Sequence, residues 1–161
     1  MNYSCNVPVP AEVSRLARGL AAELIDADRR DRHTLVAKRF GDGDPRTFAR
    51  EVRDAIAGIP PFAARIDGVD LFQDPPTGNA PVAYLVVESP GLRRLHAALC
   101  ERFDPVPGLE ADEYDPHVTI ARGGDAHRLL GREVEYEWTV DAVFVWSAGY
   151  GEPVERISLP A

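Results

Sequence analysis

Two short runs of this chain set a histidine beside a threonine: YDPHVTIARGG, from Tyr114 to Gly124, and DRHTLVAKRFG, from Asp31 to Gly41. An imidazole, with an unperturbed pKa of about 6.5, both takes and gives protons near neutral pH. A hydroxyl beside it donates a hydrogen bond to an anionic oxygen. Together these groups suit the handling of a phosphate: proton transfer at one atom, and stabilisation of charge at its neighbours.

Geometry supports this reading most directly in the second run. Val118 and Ile120 are β-branched and bracket Thr119, and the segment is entered through Asp115-Pro116 and left through Gly123-Gly124, the pattern of a short strand. Side chains alternate along a strand, so His117 and Thr119 share one face while Val118 and Ile120 take the other. In the first run His33 and Thr34 are adjacent, and a regular strand cannot point both the same way. If Thr34 faces a cleft, then Arg32, Val36 and Lys38 do too, and His33 is hidden with Leu35 and Ala37. If His33 faces the cleft, Arg32 and Lys38 turn toward the packed side, which is costly. A β-bulge at Arg32 to Thr34 would let His33 and Thr34 converge.

On these residues the chain resembles the two-histidine (2H) phosphoesterases, which include the 2′-5′ RNA ligases and RNA 2′,3′-cyclic phosphodiesterases. That family carries two His-x-Thr/Ser motifs, one per lobe. The second fits here as His117, Thr119, Ile120, Ala121 and Arg122. The first departs from the pattern, because aligning Thr34 and Leu35 places Arg32 where the first histidine is expected. The tail, WTVDAVFVWSAGYGEPVERISLP, is similar to the family's last two strands.

The resemblance implies an α+β fold of two pseudo-symmetric lobes, each an antiparallel sheet with helices packed outside, enclosing a central cleft. Residues 1–161 would form one bilobal domain. It implies a metal-independent phosphodiesterase with no cofactor, acting on RNA ends or a small nucleotide that bears a cyclic phosphate or a 2′-5′ linkage. His33 and His117 would be the catalytic acid and base. Thr34, Thr119, Arg122 and Arg32 would bind substrate, with Lys38 a further candidate to stabilise negative charge. If instead Arg32 replaces the first histidine, the cleft gains a fixed cation that cannot act as a base, and the protein is a noncatalytic binder of RNA ends or nucleotide phosphates, or a weakened enzyme. A monomer is expected.

Elements positioned to hold these motifs can be read along the chain. Tyr3 to Pro8 reads as a strand, Ala11 to Ile25 as an amphipathic helix with Val13, Leu16, Ala17, Leu20 and Leu24 on one face, and Asp44-Pro45 as the start of a helix reaching Ile59. Asp67-Gly68 inside Phe62 to Phe72 signals a hairpin, Val82 to Glu88 a central strand, and Pro90 to Phe103 a third helix. DADRRDR, from Asp26 to Arg32, and the acidic stretch Asp104 to Asp115 read as solvated loops. Asp125 to Leu130 is a short helix, and Val134 to Val140, Ala142 to Ser147 and Val154 to Leu159 are closing strands. Phe40, Tyr114 and Tyr150 are the aromatic residues placed to stack a base.

The net charge of −8 argues against tight, nonspecific binding to a long nucleic acid, which needs a basic surface. It leaves room for a short nucleotide in a locally basic cleft. No run reads as a membrane span or signal peptide, and Cys5 and Cys100 form no metal-ligand pattern. A reduced, cytoplasmic setting is expected.

Overall fold

A computed structural model describes residues 1–161. The elements run in the order β1 (Asn2–Val7), α1 (Ala11–Ala21), β2 (Asp28–Arg29), β3 (Leu35–Asp42), α2 (Pro45–Ala55), β4 (Phe62–Phe72), β5 (Val82–Glu88), α3 (Pro90–Arg102), β6 (His117–Arg122), β7 (Glu135–Val140), β8 (Ala142–Ser147) and β9 (Glu152–Ser158). They form two antiparallel sheets, a four-stranded one ordered β3-β1-β8-β9 and a five-stranded one ordered β2-β6-β5-β4-β7. Each sheet contains a strand–helix–strand unit, β1-α1-β3 in one and β5-α3-β6 in the other, with α1 reaching the opposite sheet and α3 packing between the two. Helix α1 lies against β6, and α3 against β3 and β4. This is the two-lobed α+β arrangement expected from the sequence. No helix is long and apolar enough to cross a membrane.

Alternation along the strands fixes which face is which. In β4, Phe62, Ala64 and Ile66 are buried while Ala63, Arg65 and Asp67 are exposed. The inward set joins Val118 and Ile120 of β6, Cys5 and Val7 of β1, and Val143 and Val145 of β8 in one continuous apolar core. Helix starts are capped as their sequences dictate: Asp44 accepts the Arg46 N–H ahead of Pro45, and Ser89 accepts the Leu92 N–H ahead of Pro90.

Four expectations need correction. Helix α1 ends at Ala21 rather than Ile25 because the N–H groups of Ile25, Asp26 and Ala27 donate to the Asp125 carboxylate across the molecule instead of continuing the helix. Gly124, at φ +50°, permits this contact, since a Cβ there would sit 2.7 Å from the Asp26 backbone. Helix α2 stops at Ala55, short of Ile59, and Gly58 turns the chain at φ +81°. Asp67-Gly68 is no hairpin but a bulge within an unbroken β4: Gly68 adopts φ +82° and its N–H donates to the Val134 carbonyl. Finally, DADRRDR is not wholly loop, as Asp28 and Arg29 pair with Arg122 and Ala121 at the edge of the second sheet.

Candidate active site

The second motif is a strand with the expected facing. His117 stands opposite Val86, and Thr119 opposite Tyr84, across the β5–β6 ladder. His117 is half-buried, and its ring meets Phe72 and Tyr84 edge-on at 5.0 and 5.4 Å. Nδ1 lies 2.7 Å from the Asp115 carbonyl. A carbonyl only accepts, so Nδ1 carries the proton, and the Nε2 lone pair, with no protein partner, stays open. Burial pushes this imidazole below its ordinary pKa, with Arg39 and Arg122 adding to the effect and the Asp115 carbonyl opposing it. At neutral pH, His117 is a neutral base.

The first motif is built differently. His33 and Thr34 precede β3 and lie outside the sheet. Within β3 an extra residue, Ala37, lies between the Asn6–Val36 and Cys5–Lys38 pairs, and a second irregularity falls at Phe40. Bulging therefore occurs, but downstream of the Arg32 to Thr34 position expected from the sequence. Its effect is a change of facing. Thr34 and Val36 line the cleft, Leu35 and Ala37 are buried, and past the bulge Lys38 turns inward while Arg39 faces the cleft opposite Ser4.

His33 is consequently not among the residues that line the cleft with His117. Both of its ring nitrogens are closed off from solvent and have no hydrogen-bond partner. Burial and the charges of Arg18 and Arg30 hold its pKa below the ordinary value. A ring so enclosed has no route for exchanging a proton with substrate. Arg32 is exposed and packs against Gly151 in the β8–β9 turn, and it does not line the cleft. Neither His33 nor Arg32 thus presents a polar atom to the cleft in which His117 stands.

Two chambers make up the cleft, sharing Val36 and Arg39 as their common wall. One, of about 270 Å³, is lined by His117, Arg122, Phe72, Asp115 and the Asp74–Thr77 loop. Arg122 donates to the Thr77 carbonyl at 2.8 Å, tying that loop over the chamber. The other, of about 460 Å³, lies over the four-stranded sheet and is lined by Asn2, Ser4, Asn6, Thr34 and Trp146 among others. Thr119 shares the His117 face but lines neither chamber. Of the expected stacking residues, Phe40 packs on Phe48 and Phe103, Tyr114 is buried against His96 with rings 3.8 Å apart, and Tyr150 is exposed outside both chambers.

Arg39 is the site residue that sequence reasoning missed, and a buried network sets its place. Lys38 Nζ donates to Glu110 Oε1 at 2.6 Å and to the carbonyls of Arg39 and Asp104, with both charged side chains wholly buried. Glu110 also accepts the N–H groups of Arg39 and Val106, and its Oε2 lies 3.8 Å from the Arg39 guanidinium. Lys38 is therefore a structural cation, not a charge in the cleft, and the stretch Asp104 to Asp115 is clamped to β3 rather than solvated. Tyr114 adds a hydrogen bond to the Val36 carbonyl, and His96 bridges the Ala37 carbonyl and the Ala111 N–H. The clamp holds β3 and the segment leading into His117 at a fixed separation.

The model of the 2′-5′ RNA ligase superfamily matches residues 11–152. The chain belongs to that superfamily. Its fold is shared with TT0787 of Thermus thermophilus (TM-score 0.72, 19% identity, covering 100% of this chain and 99% of that one). Escherichia coli LigT in complex with NADP⁺ is similar (TM-score 0.71, 17% identity, 99% and 98% covered), as is a structure described as a phosphoesterase (TM-score 0.70, 17% identity, 99% of each chain). No curated protein sequence matches the chain.

Proposed function

We propose that this superfamily member is a metal-independent phosphodiesterase that opens 2′,3′-cyclic phosphate ends or 2′-5′-linked nucleotides, with His117 as its proton-transfer residue. One observation carries the reading: His117 presents an unprotonated, unpartnered Nε2 to a cleft flanked by the Arg39 and Arg122 guanidinium groups. The complexes of LigT with ATP, phosphate and 3′-AMP support a nucleotide-phosphate ligand.

In this reading the two arginines hold the non-bridging oxygens and stabilise charge as it develops. His117 Nε2 takes a proton from water as the water oxygen bonds to phosphorus. The bond from phosphorus to the ribose oxygen breaks, and that oxygen takes a proton from solvent. One positioned base contributes roughly 10²- to 10⁴-fold, so the enzyme is slower than one with an acid opposite.

The test is hydrolysis of a nucleoside 2′,3′-cyclic phosphate in the presence of a chelator across a range of pH. The reading predicts turnover that survives chelation and rises with pH through a midpoint below the ordinary imidazole value of about 6.5. Turnover abolished by the chelator would refute it. The enclosure of His33 favours a second reading, a noncatalytic binder of nucleotide phosphates, which predicts saturable binding of the same compound without turnover.

A further inference from the structure

The 460 Å³ chamber over the four-stranded sheet contains an aromatic ring that the fold does not explain. Trp146 stands opposite Ser4 across the β1–β8 ladder, is only half-buried, lies outside the apolar core and has no aromatic partner. By contrast, the other tryptophan, Trp138, packs against the core beside Tyr136. Next to Trp146 on the same sheet face is Asn6, which is only 3% exposed and forms part of the chamber wall. Its Oδ1 accepts from the Ser4 hydroxyl at 2.7 Å, while its amide NH₂ makes no hydrogen bond within the protein. That NH₂ is not among the polar atoms closed off from solvent, so its donors are open to an acceptor that enters the chamber.

We propose that this chamber seats the nucleoside of the substrate, its base stacked on Trp146 and an acceptor on its edge bonded to the Asn6 amide. This inference rests on the nucleotide-phosphate reading of the cleft and adds where the base goes. The geometry is consistent with one ligand spanning both chambers, since Arg39 belongs to both and can hold the phosphate where they meet. Stacking on an aromatic ring is a recurrent way to bind a base with little sequence preference.

The second sheet offers no comparable seat away from His117. There the groove beside Val86 is lined by four carboxylates, Asp67, Asp70, Glu133 and Glu135, of which only Asp67 is ion-paired, to Arg65, against a single cation, Arg132, that is itself paired with Glu23. That rim repels the further phosphates of a longer strand, so the substrate class is a short phosphodiester with a single nucleoside in the Trp146 chamber.

Binding of a nucleoside 2′,3′-cyclic phosphate and of ribose 5-phosphate tests the assignment, with the tryptophan fluorescence of a Trp138→Phe variant reporting on Trp146 alone. The expected results are quenching by the nucleotide but not by the sugar phosphate, and a loss of nucleotide affinity on the order of 10-fold or more in Trp146→Ala. Trp146→Phe should restore most of it, and Trp146→Ala should raise KM far more than it lowers kcat. Nucleotide affinity unchanged in Trp146→Ala, or equal affinity of the unmutated protein for the two probes, would overturn the seat while leaving the phosphate site intact. Absence of both binding and turnover of the nucleotide in the unmutated protein would overturn the functional reading along with it.

Discussion

Replacing Lys38 with methionine should destabilise the fold severely, although Lys38 touches no substrate. Its ammonium and the Glu110 carboxylate are 2.6 Å apart with both side chains fully enclosed, and all three ammonium donors are used. Methionine matches the aliphatic stem but leaves Glu110 buried with only the Arg39 and Val106 N–H groups and a guanidinium 3.8 Å away. Breaking a buried pair from one side costs about 3–5 kcal/mol, against a total of about 5–15 kcal/mol for an ordinary domain. In urea, with a slope of about 2 kcal/mol/M, that is a midpoint lowered by about 1.5–2.5 M. Lys38→Met/Glu110→Leu should cost less than the sum of the two single variants, because neither charge is then left alone. A loss below about 1 kcal/mol in Lys38→Met would show that water reaches the pair and that the clamp argument is wrong.

Acid should loosen the protein before the usual carboxylate range. His33, His96 and His117 all have folded pKa values lowered chiefly by burial. Their contribution to stability is complete above the unfolded value of about 6.5 and is lost as pH falls below it, so Tm measured against pH should begin to drop near that value. Protonated His96 also ceases to accept the Ala111 N–H. For Glu110, burial pushes the carboxyl up, but Lys38 and the two N–H donors outweigh it and the net shift is downward. Its contribution is present above about 4.3 and disappears at lower pH, and Glu110→Gln should make that second decline shallower in the same Tm series, the lowered carboxyls of Glu23, Asp42 and Asp125 accounting for what remains. Gly91→Ala should cost about 1–3 kcal/mol by chemical denaturation, since a Cβ on α3 would lie 2.4 Å from Phe62. Gly19→Ala on α1, with nothing within 4 Å, should stabilise by about 0.5–1 kcal/mol. Arg39→Ala should reduce kcat/KM by about 10-fold or more while leaving the urea midpoint nearly unchanged, because its backbone N–H and carbonyl, both retained in alanine, are what serve the Lys38–Glu110 clamp closely.

What was legible in the sequence follows from how local each signal is. The strand around His117 was legible because alternating β-branched residues, a leading proline and trailing glycines all act within one short stretch. Helix starts at Asp44-Pro45 and Ser89-Pro90 were equally local. The bulge at Ala37 was not, because it depends on pairing with β1, and one inserted residue decides that Arg39 rather than Lys38 faces the cleft. Nor could the acidic stretch before Tyr114 be distinguished from a solvated loop, since the partner of Glu110 lies in a strand far back in the chain. The early end of α1 has the same origin, an acceptor at Asp125 that no local pattern announces.

The most direct test of the one-histidine cleft is to compare His117→Ala with His33→Ala in the chelator-treated hydrolysis of a nucleoside 2′,3′-cyclic phosphate. The structure predicts that His117→Ala lowers kcat by roughly 10²- to 10⁴-fold, while His33→Ala, once corrected for any loss of folded protein, stays within about threefold of the unmutated rate. Equal, large losses in both variants would contradict it and show that His33 reaches the phosphate during turnover.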